Sequence, residues 1–159
     1  MSNSGKPIIV VSKCLGFEPC RYNGGMEPNN FIEVLGDYVE FIKVCPEQGC
    51  GLPTPRGSLK IVENDDGYNV VQNKTNIVLT KELKGFTSKF LSELGEVDGF
   101  ILKSKSPSCG IKDAKIYPNI EKCSSIKRGN GLFADEVIKK YPNLLVENEG
   151  RLTNYKIRE

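Results

Sequence analysis

Histidine is absent from this 159-residue chain, and that absence removes more chemistry than any residue present supplies. Without imidazole there is no Ser-His or Cys-His nucleophilic pair and no His-Glu-x-x-His zinc helix. Acid–base work therefore falls to Asp, Glu, Lys, Tyr or Cys. Any metal must be held by sulfur or oxygen. Long apolar runs are missing as well: the stretches present fall far short of the ~20 residues a membrane span requires, and Met1-Ser2-Asn3-Ser4-Gly5-Lys6 holds no signal-peptide core. A cytoplasmic protein without a membrane partner is expected. Charge of one sign is also scarce, with 22 Lys and Arg against 20 Asp and Glu, too even a balance to argue for nucleic acid by itself.

The length suits a single domain over residues 1–159, able to bury roughly 70% of the surface its unfolded form exposes. It needs no disulfides to fold. Six cysteines in a reducing compartment point to metal or catalytic ligation before a disulfide framework. None forms a Cys-x-x-Cys pair, which disfavours a zinc ribbon or a thioredoxin-like site, and the Cys14-to-Cys20 and Cys45-to-Cys50 spacings do not match a ferredoxin run.

Strand and helix signals alternate along the chain. Apolar runs at Pro7–Val11, Val39–Val44, Gly99–Leu102 and Leu144–Val146 read as strands. A short helix is predicted from Asn29 or Asn30 as N-cap to Gly36, with Phe31, Val34 and Leu35 on its apolar face. A second follows Thr80 as N-cap, with Leu83, Phe86, Phe90, Leu91 and Leu94 at helical spacing and Gly95 as its stop. A third covers about Leu132 to Tyr141 and turns Leu132, Phe133, Val137 and Ile138 inward before Pro142. Between Leu59 and Val78, Asp65-Asp66-Gly67 marks a β-hairpin that would fold over a site as a lid or extend a sheet edge. The expected fold is α/β: one three-layer, Rossmann-like domain with a mostly parallel sheet and a β-hairpin insertion.

Three cysteines, Cys14, Cys45 and Cys109, each lie beyond the end of a predicted strand. In open α/β sheets the loops at the carboxyl ends of the strands gather into one crevice, so thiols far apart in sequence can converge there. In the first of these loops Gly16, Gly24 and Gly25 let the backbone turn sharply and approach a ligand. The second, Cys45-Pro46-Glu47-Gln48-Gly49-Cys50-Gly51-Leu52-Pro53-Thr54-Pro55-Arg56, is stiffened by proline. Glu47 is placed to reach the open face of a metal centre, and a hydrophobic rim would raise its pKa and make it a useful acid or base. Arg56 can fix a substrate carbonyl or carboxylate, or else hold the loop through a salt bridge. In the third, Ser104, Ser106 and Ser108 surround Cys109, and without a histidine they serve as hydrogen-bonding or proton-delivering groups rather than nucleophiles. For three soft thiolates the leading cofactor is a [4Fe-4S] cluster with one iron free of protein ligand, and thiolate-bound zinc is next. Cys20, Cys50 and Cys123 are left as spare thiols.

Taken together, Ser-x-Cys-Leu-Gly and Cys-Arg-Tyr-Asn-Gly-Gly, then Cys-Pro-Glu with Gly-Leu-Pro-Thr-Pro-Arg, then Lys-Ser-x-Ser-Pro-Ser-Cys-Gly resemble the thiouracil desulfidase family from about Ile8 to Val146. The resemblance implies a [4Fe-4S] cluster on Cys14, Cys45 and Cys109, whose fourth iron captures the sulfur of a thiolated pyrimidine during a hydrolytic, non-redox C–S cleavage. It implies acid–base duty for Glu47 and assistance from Ser106, while Arg56 and Ser108 are assigned to substrate. Asn23 stands where the family pattern has Asp, and it cannot ionise. Gln48-Gly49-Cys50 replaces a more apolar stretch. The substrate implied is a free thiolated base or a nucleoside. Thiouridine in tRNA is the alternative, because Lys or Arg occupy seven positions from 103 to 128 (103, 105, 112, 115, 122, 127 and 128) against Asp113 and Glu121. A sulfide carrier built on the same centre, or a zinc or electron-transfer module, are the other readings. Nothing in the sequence sets an oligomeric state.

Overall fold

A computed structural model of the chain describes residues 5–54, 56–65, 67–119, 121–122 and 124–153. Asp66 of the expected hairpin turn and the spare Cys123 lie outside the described residues. The elements in chain order are β1 (Ile8–Ser12), α1 (Asn30–Leu35), β2 (Glu40–Val44), α2 (Pro46–Gly49), β3 (Leu59–Asn64), β4 (Gly67–Gln72), α3 (Thr80–Glu93), β5 (Gly99–Leu102), β6 (Ala114–Tyr117), β7 (Lys127–Gly129), α4 (Leu132–Lys140) and β8 (Leu145–Asn148), followed by a 3-10 turn at Arg151–Thr153.

Two four-stranded sheets result, ordered β2-β1-β5-β8 and β4-β3-β6-β7. The first is wholly parallel, with Val10 of β1 level with Ile42 of β2 and Phe100 of β5. Its central strands β1 and β5 are covered on both faces, so they read as unbroken apolar runs rather than alternating ones. Successive side chains point to opposite sides. Val10, Phe100 and Leu102 pack with Leu91 of α3 and with Phe133, Ala134 and Val137 of α4, whereas Val11 and Ile101 pack with Ile32 of α1, Leu15 and Leu152. These are the three layers that the strand and helix pattern calls for. Among the described residues no helix is long and apolar enough to cross a membrane.

The hairpin β3-β4 is neither a lid nor an edge of the parallel sheet. β3 pairs in parallel with β6, which pairs antiparallel with β7, so the hairpin founds the second sheet. Leu59 and Val70 of that sheet cluster with Leu79 and Leu83 at the start of α3. This contact explains a shifted cap: Leu79 occupies the N-cap position of α3, and the Thr80 hydroxyl instead accepts from the Val70 amide at 2.9 Å and donates to Asn69 Oδ1 at 3.0 Å. At α1 the cap is as expected, with Asn29 Oδ1 accepting from the Ile32 amide at 3.1 Å. Phe31 and Leu35 pack against the core as expected, beside the buried Ile32, whereas Val34 is exposed. Gly95 ends α3 with a φ of +73°, a conformation that favours glycine.

Gly131, immediately before α4, is fixed by close approach. A Cβ there would stand 2.5 Å from the Ser108 carbonyl carbon and 2.8 Å from the Cys109 amide nitrogen. Both neighbours are backbone and cannot swing aside. Gly131→Ala is expected to cost about 1–3 kcal/mol through overpacking, measured as a lower urea midpoint, and to impair the loop that carries Cys109.

Candidate metal centre and active site

In the parallel sheet β1 lies between β2 and β5, so the chain winds outward from it in both directions, and this reversal is the place where open α/β sheets bind ligands. The three cysteine loops leave from these three strands. The Lys13 amide donates to the Val44 carbonyl at 2.8 Å, and the Lys103 amide donates to Ser12 Oγ at 2.8 Å, stitching the loops together at their roots. Cys45 follows β2 directly, and Pro46 opens α2 at the first helical position, where its missing N–H costs nothing.

Cys109 is reached by a longer detour that doubles back. Ser106 Oγ accepts from the amides of Ser108 at 3.1 Å and Cys109 at 3.0 Å, while the Gly110 amide donates to the Ser106 carbonyl at 2.9 Å. The resulting turn docks on the start of α4: the Gly131 amide donates to the Gly110 carbonyl at 2.8 Å and the Ala134 amide to the Ser108 carbonyl at 3.1 Å. A segment rich in serine thus becomes rigid.

The loops enclose a cavity of about 460 Å³ whose lining includes Cys14, Cys45, Cys109, Glu47, Arg56, Ser106 and Ser108, the residues expected from the sequence to bind metal, act on protons or bind substrate. A fourth thiol, Cys20, also faces it. Burial pushes the Cys14 and Cys109 thiols up to about 12, reinforced at Cys14 by the neighbouring Cys109 and Cys45 and at Cys109 by Cys45 and Glu47. Metal-free thiols in this state keep their protons at neutral pH, and a bound metal would displace them. Among the described residues, no group of three or more Cys, Asp or Glu side chains as they stand could hold a metal ion.

Glu47 lies within α2 and is 9% exposed. Its partner is not an apolar rim but the Arg56 guanidinium, whose Nε donates to Glu47 Oε1 at 3.1 Å. Ser108 Oγ is 3.4 Å from Glu47 Oε2, 3.8 Å from Cys109 Sγ and 3.1 Å from Ser106 Oγ. Because Ser106 Oγ already accepts from two amides, its hydroxyl hydrogen is available for Ser108, whose own hydrogen then points to Glu47. A chain of hydroxyls therefore joins the carboxylate to the turn that carries a cysteine.

With this arrangement established, comparison with known proteins is informative. The family model described as 2-thiouracil desulfurase matches residues 9–149. The chain belongs to that family. A relative in Bacillus subtilis (strain 168), the uncharacterized protein YbbK, is 34% identical over 111 residues, 65% of this chain and 73% of its own length. A solved structure of the [4Fe-4S]-dependent thiouracil desulfidase TudS matches with a TM-score of 0.74 at 27% identity, covering 96% of this chain and 97% of that one.

In this 2-thiouracil desulfurase family member Arg56 acts as a clamp. Its side chain is 2% exposed. Besides Glu47 it donates through Nη1 to the Pro53 carbonyl at 3.1 Å and Thr54 Oγ1 at 3.0 Å, and through Nη2 to the Cys20 carbonyl at 2.8 Å. This is the loop-holding role in a fuller form, linking the first and second loops. A lysine has a single nitrogen and cannot serve four acceptors in a planar fork. Arg56→Lys is expected to lower stability by about 1–3 kcal/mol, from acceptors left unsatisfied, and to reduce kcat with KM little changed. A rise in KM alone would instead mean direct contact with substrate.

Several cavity residues carry no site role in the sequence expectations, among them Tyr22, Lys103 and Glu149. Tyr22 is 43% exposed at the mouth and is the only aromatic side chain among the described lining residues. Lys103 Nζ sits 3.2 Å from both Glu27 Oε2 and Glu149 Oε2, and Glu149 in turn accepts from the Ser104 amide at 2.7 Å and the Ser104 hydroxyl at 2.8 Å. Glu149, beyond β8, carried no signal, whereas Cys20 and Tyr22 share the Cys-Arg-Tyr motif and Lys103 heads the Lys-Ser-x-Ser-Pro-Ser-Cys motif. Asn23 does not line the cavity; its Oδ1 accepts from the Gly25 amide at 2.9 Å and holds a turn. Cys50 lies outside the cavity too, its thiol directed to the Glu47 carbonyl at 3.2 Å.

Proposed function

We propose that this chain is an iron-sulfur-dependent desulfidase that exchanges the sulfur of a small thiolated pyrimidine for oxygen without net electron transfer. The observation that carries the reading is a single cavity whose lining brings together Cys14, Cys45 and Cys109 with Glu47 and Ser108. Its volume falls in the range of small-molecule sites. The donor set fits the cluster: all sulfur, with Cys109 buried and Cys14 and Cys45 half-buried around one cavity, and among the described residues no side chains are gathered closely enough to hold a single metal ion. The structural neighbour TudS is [4Fe-4S]-dependent, which supports the same choice.

Cys14, Cys45 and Cys109 would hold the cluster. When bound, it supplies one iron without a protein thiolate, a Lewis acid for a thiocarbonyl sulfur. Tyr22 presents an aromatic face to the pyrimidine at the cavity mouth. Glu47, held by Arg56, takes a proton from a water that adds to the thiocarbonyl carbon. Ser108, backed by Ser106, returns a proton as the carbon–sulfur bond breaks. The balance is one water consumed, one oxo-pyrimidine formed and one sulfur released as hydrosulfide with a proton.

The basic segment does not form one surface around this site. Lys103 and Lys105 line the cavity, whereas Lys115 and Arg128 face each other in register across β6 and β7, and Lys127 pairs with Glu63 at 2.9 Å in the second sheet. A small substrate is therefore favoured over tRNA. The test is anaerobic reconstitution followed by iron and sulfide analysis, then incubation with 2-thiouracil in the absence of ATP and reductant. Many turnovers to uracil with stoichiometric sulfide are expected. A colourless zinc protein would overturn the cluster, and a single turnover that loads sulfide without release would favour a sulfide carrier.

A further inference from the structure

The Glu47 carboxylate and the Ser108 hydroxyl meet at 3.4 Å from loops 61 positions apart in the chain. At that separation a hydrogen bond is close to the limit of its range, so a few tenths of an ångström decide whether it forms. Glu47 rides on α2, a single turn closed by the Gly49 amide on the Cys45 carbonyl at 2.8 Å and the Cys50 amide on the Pro46 carbonyl at 3.0 Å. One turn of helix is not stable in isolation and takes its place from what it packs on.

Behind α2 stands Phe86 of α3. A Cβ on Gly49 would lie 2.5 Å from Phe86 Cζ and 2.7 Å from Cδ1, so the ring rests directly on the glycine backbone. Phe86 stacks on Phe90, one turn further along α3, with centroids 5.8 Å apart and planes at 22°. Phe90 in turn meets Phe133 of α4 at 5.8 Å and 56°. Phe133 is fully buried, and the amide of the next residue, Ala134, donates to the Ser108 carbonyl at 3.1 Å. The row of rings thus begins under the helix that carries Glu47 and ends at the turn that carries Ser108.

We infer that Phe86, Phe90 and Phe133 are positioning residues of the active site, a row of rings that sets the separation between Glu47 and Ser108 from behind. The inference rests on the acid–base roles proposed above for that pair. Close-packed interiors have low compressibility and pass a displacement on instead of absorbing it, and rigid aromatic rings do so with few rotatable bonds. Gly49 belongs to the same device, because only a residue without a side chain lets α2 seat on the first ring. Rings that merely filled the core would add stability and leave the rate of the folded enzyme alone. Rings that set a catalytic separation change kcat and leave KM where it is.

The test measures turnover of 2-thiouracil per bound iron in reconstituted wild-type chain, Gly49→Ala, Phe90→Leu, and Gly49→Ala combined with Phe86→Leu, each at a temperature where circular dichroism shows it folded. In Gly49→Ala the methyl group meets the Phe86 ring, and whether ring or helix yields, the row is broken. Its kcat is expected to fall about tenfold with KM within about twofold of wild type, since a misplacement of ~1 Å costs up to about 10²-fold. Phe90→Leu removes the middle ring with a modest change in volume and should lower kcat by about threefold or more, again with KM held. Phe86→Leu gives the new methyl group room, so the double variant is expected to run about threefold faster than Gly49→Ala alone, a non-additive result that marks direct coupling. Cys45 follows β2 directly and Cys109 lies beyond the rings, so iron content should stay near wild type in all of them. Variants with wild-type kcat per iron and only a lower urea midpoint overturn the inference, as does a double variant no faster than Gly49→Ala. Loss of iron overturns it too, by assigning the row to the cluster instead of the pair. If Gly49→Ala does not fold, the kcat of Phe90→Leu decides. A wild-type chain that loads iron and does not turn over 2-thiouracil overturns the proposed function itself, so the two failures are distinguishable.

Discussion

Glu47→Gln is expected to leave iron content and visible spectrum unchanged while turnover falls by about 10²–10⁴, the usual contribution of a positioned acid–base group. Glutamine is the informative replacement here. Arg56 is buried with its Nε directed to Glu47 Oε1, and alanine would strand that guanidinium at a cost of about 3–5 kcal/mol. Glutamine keeps an acceptor for Arg56 and removes only the ability to take a proton. The measurements are steady-state kinetics with a thiolated pyrimidine and the urea midpoint of each variant. Normal turnover by Glu47→Gln would remove Glu47 from the chemistry. Loss of turnover together with loss of colour would place its role in holding the loop that carries Cys45.

Cys14→Ala, Cys45→Ala and Cys109→Ala should each lose bound iron, visible colour and activity together, with activity reduced below detection. Each would remove one of the proposed ligands, and no histidine is there to replace it. Cys50→Ala is the control. Its thiol is directed away from the cavity toward the Glu47 carbonyl, and iron content near wild type is expected. Iron-to-protein ratio, the visible spectrum and turnover, measured on anaerobic samples, check the set. A colourful, active Cys109→Ala variant would mean that the centre is built elsewhere.

Much of the fold was readable in local pattern. β1 and β5 show as apolar runs because both faces are covered, and α3 and α4 show through helical spacing of residues that pack on one side of the sheet. The second sheet was not readable in the same way. β7 is Lys127-Arg128-Gly129, with no apolar signal at all; it exists because the free edge of β6 offers hydrogen-bond partners. In the six-residue α1 the face was readable at Phe31 and Leu35, which pack on the core, but not at the buried Ile32 or the exposed Val34.

The sequence by itself determined the kind of chemistry. Absent histidine leaves sulfur or oxygen to hold a metal, three cysteine loops offer the sulfur, and the surrounding motifs mark Glu47 and the serines as candidates beside it. Only the tertiary structure decided which groups meet. It put Cys20 inside the cavity and Cys50 outside, turned Ser108 rather than Ser106 toward Glu47, and buried Arg56 as a clamp between two loops. The physical reason is range. Helical and strand periods are set by neighbours a few residues away, whereas side-chain direction in an irregular loop follows from hydrogen bonds to residues 25 to 61 positions distant. Those bonds form only once β1 has been placed between β2 and β5.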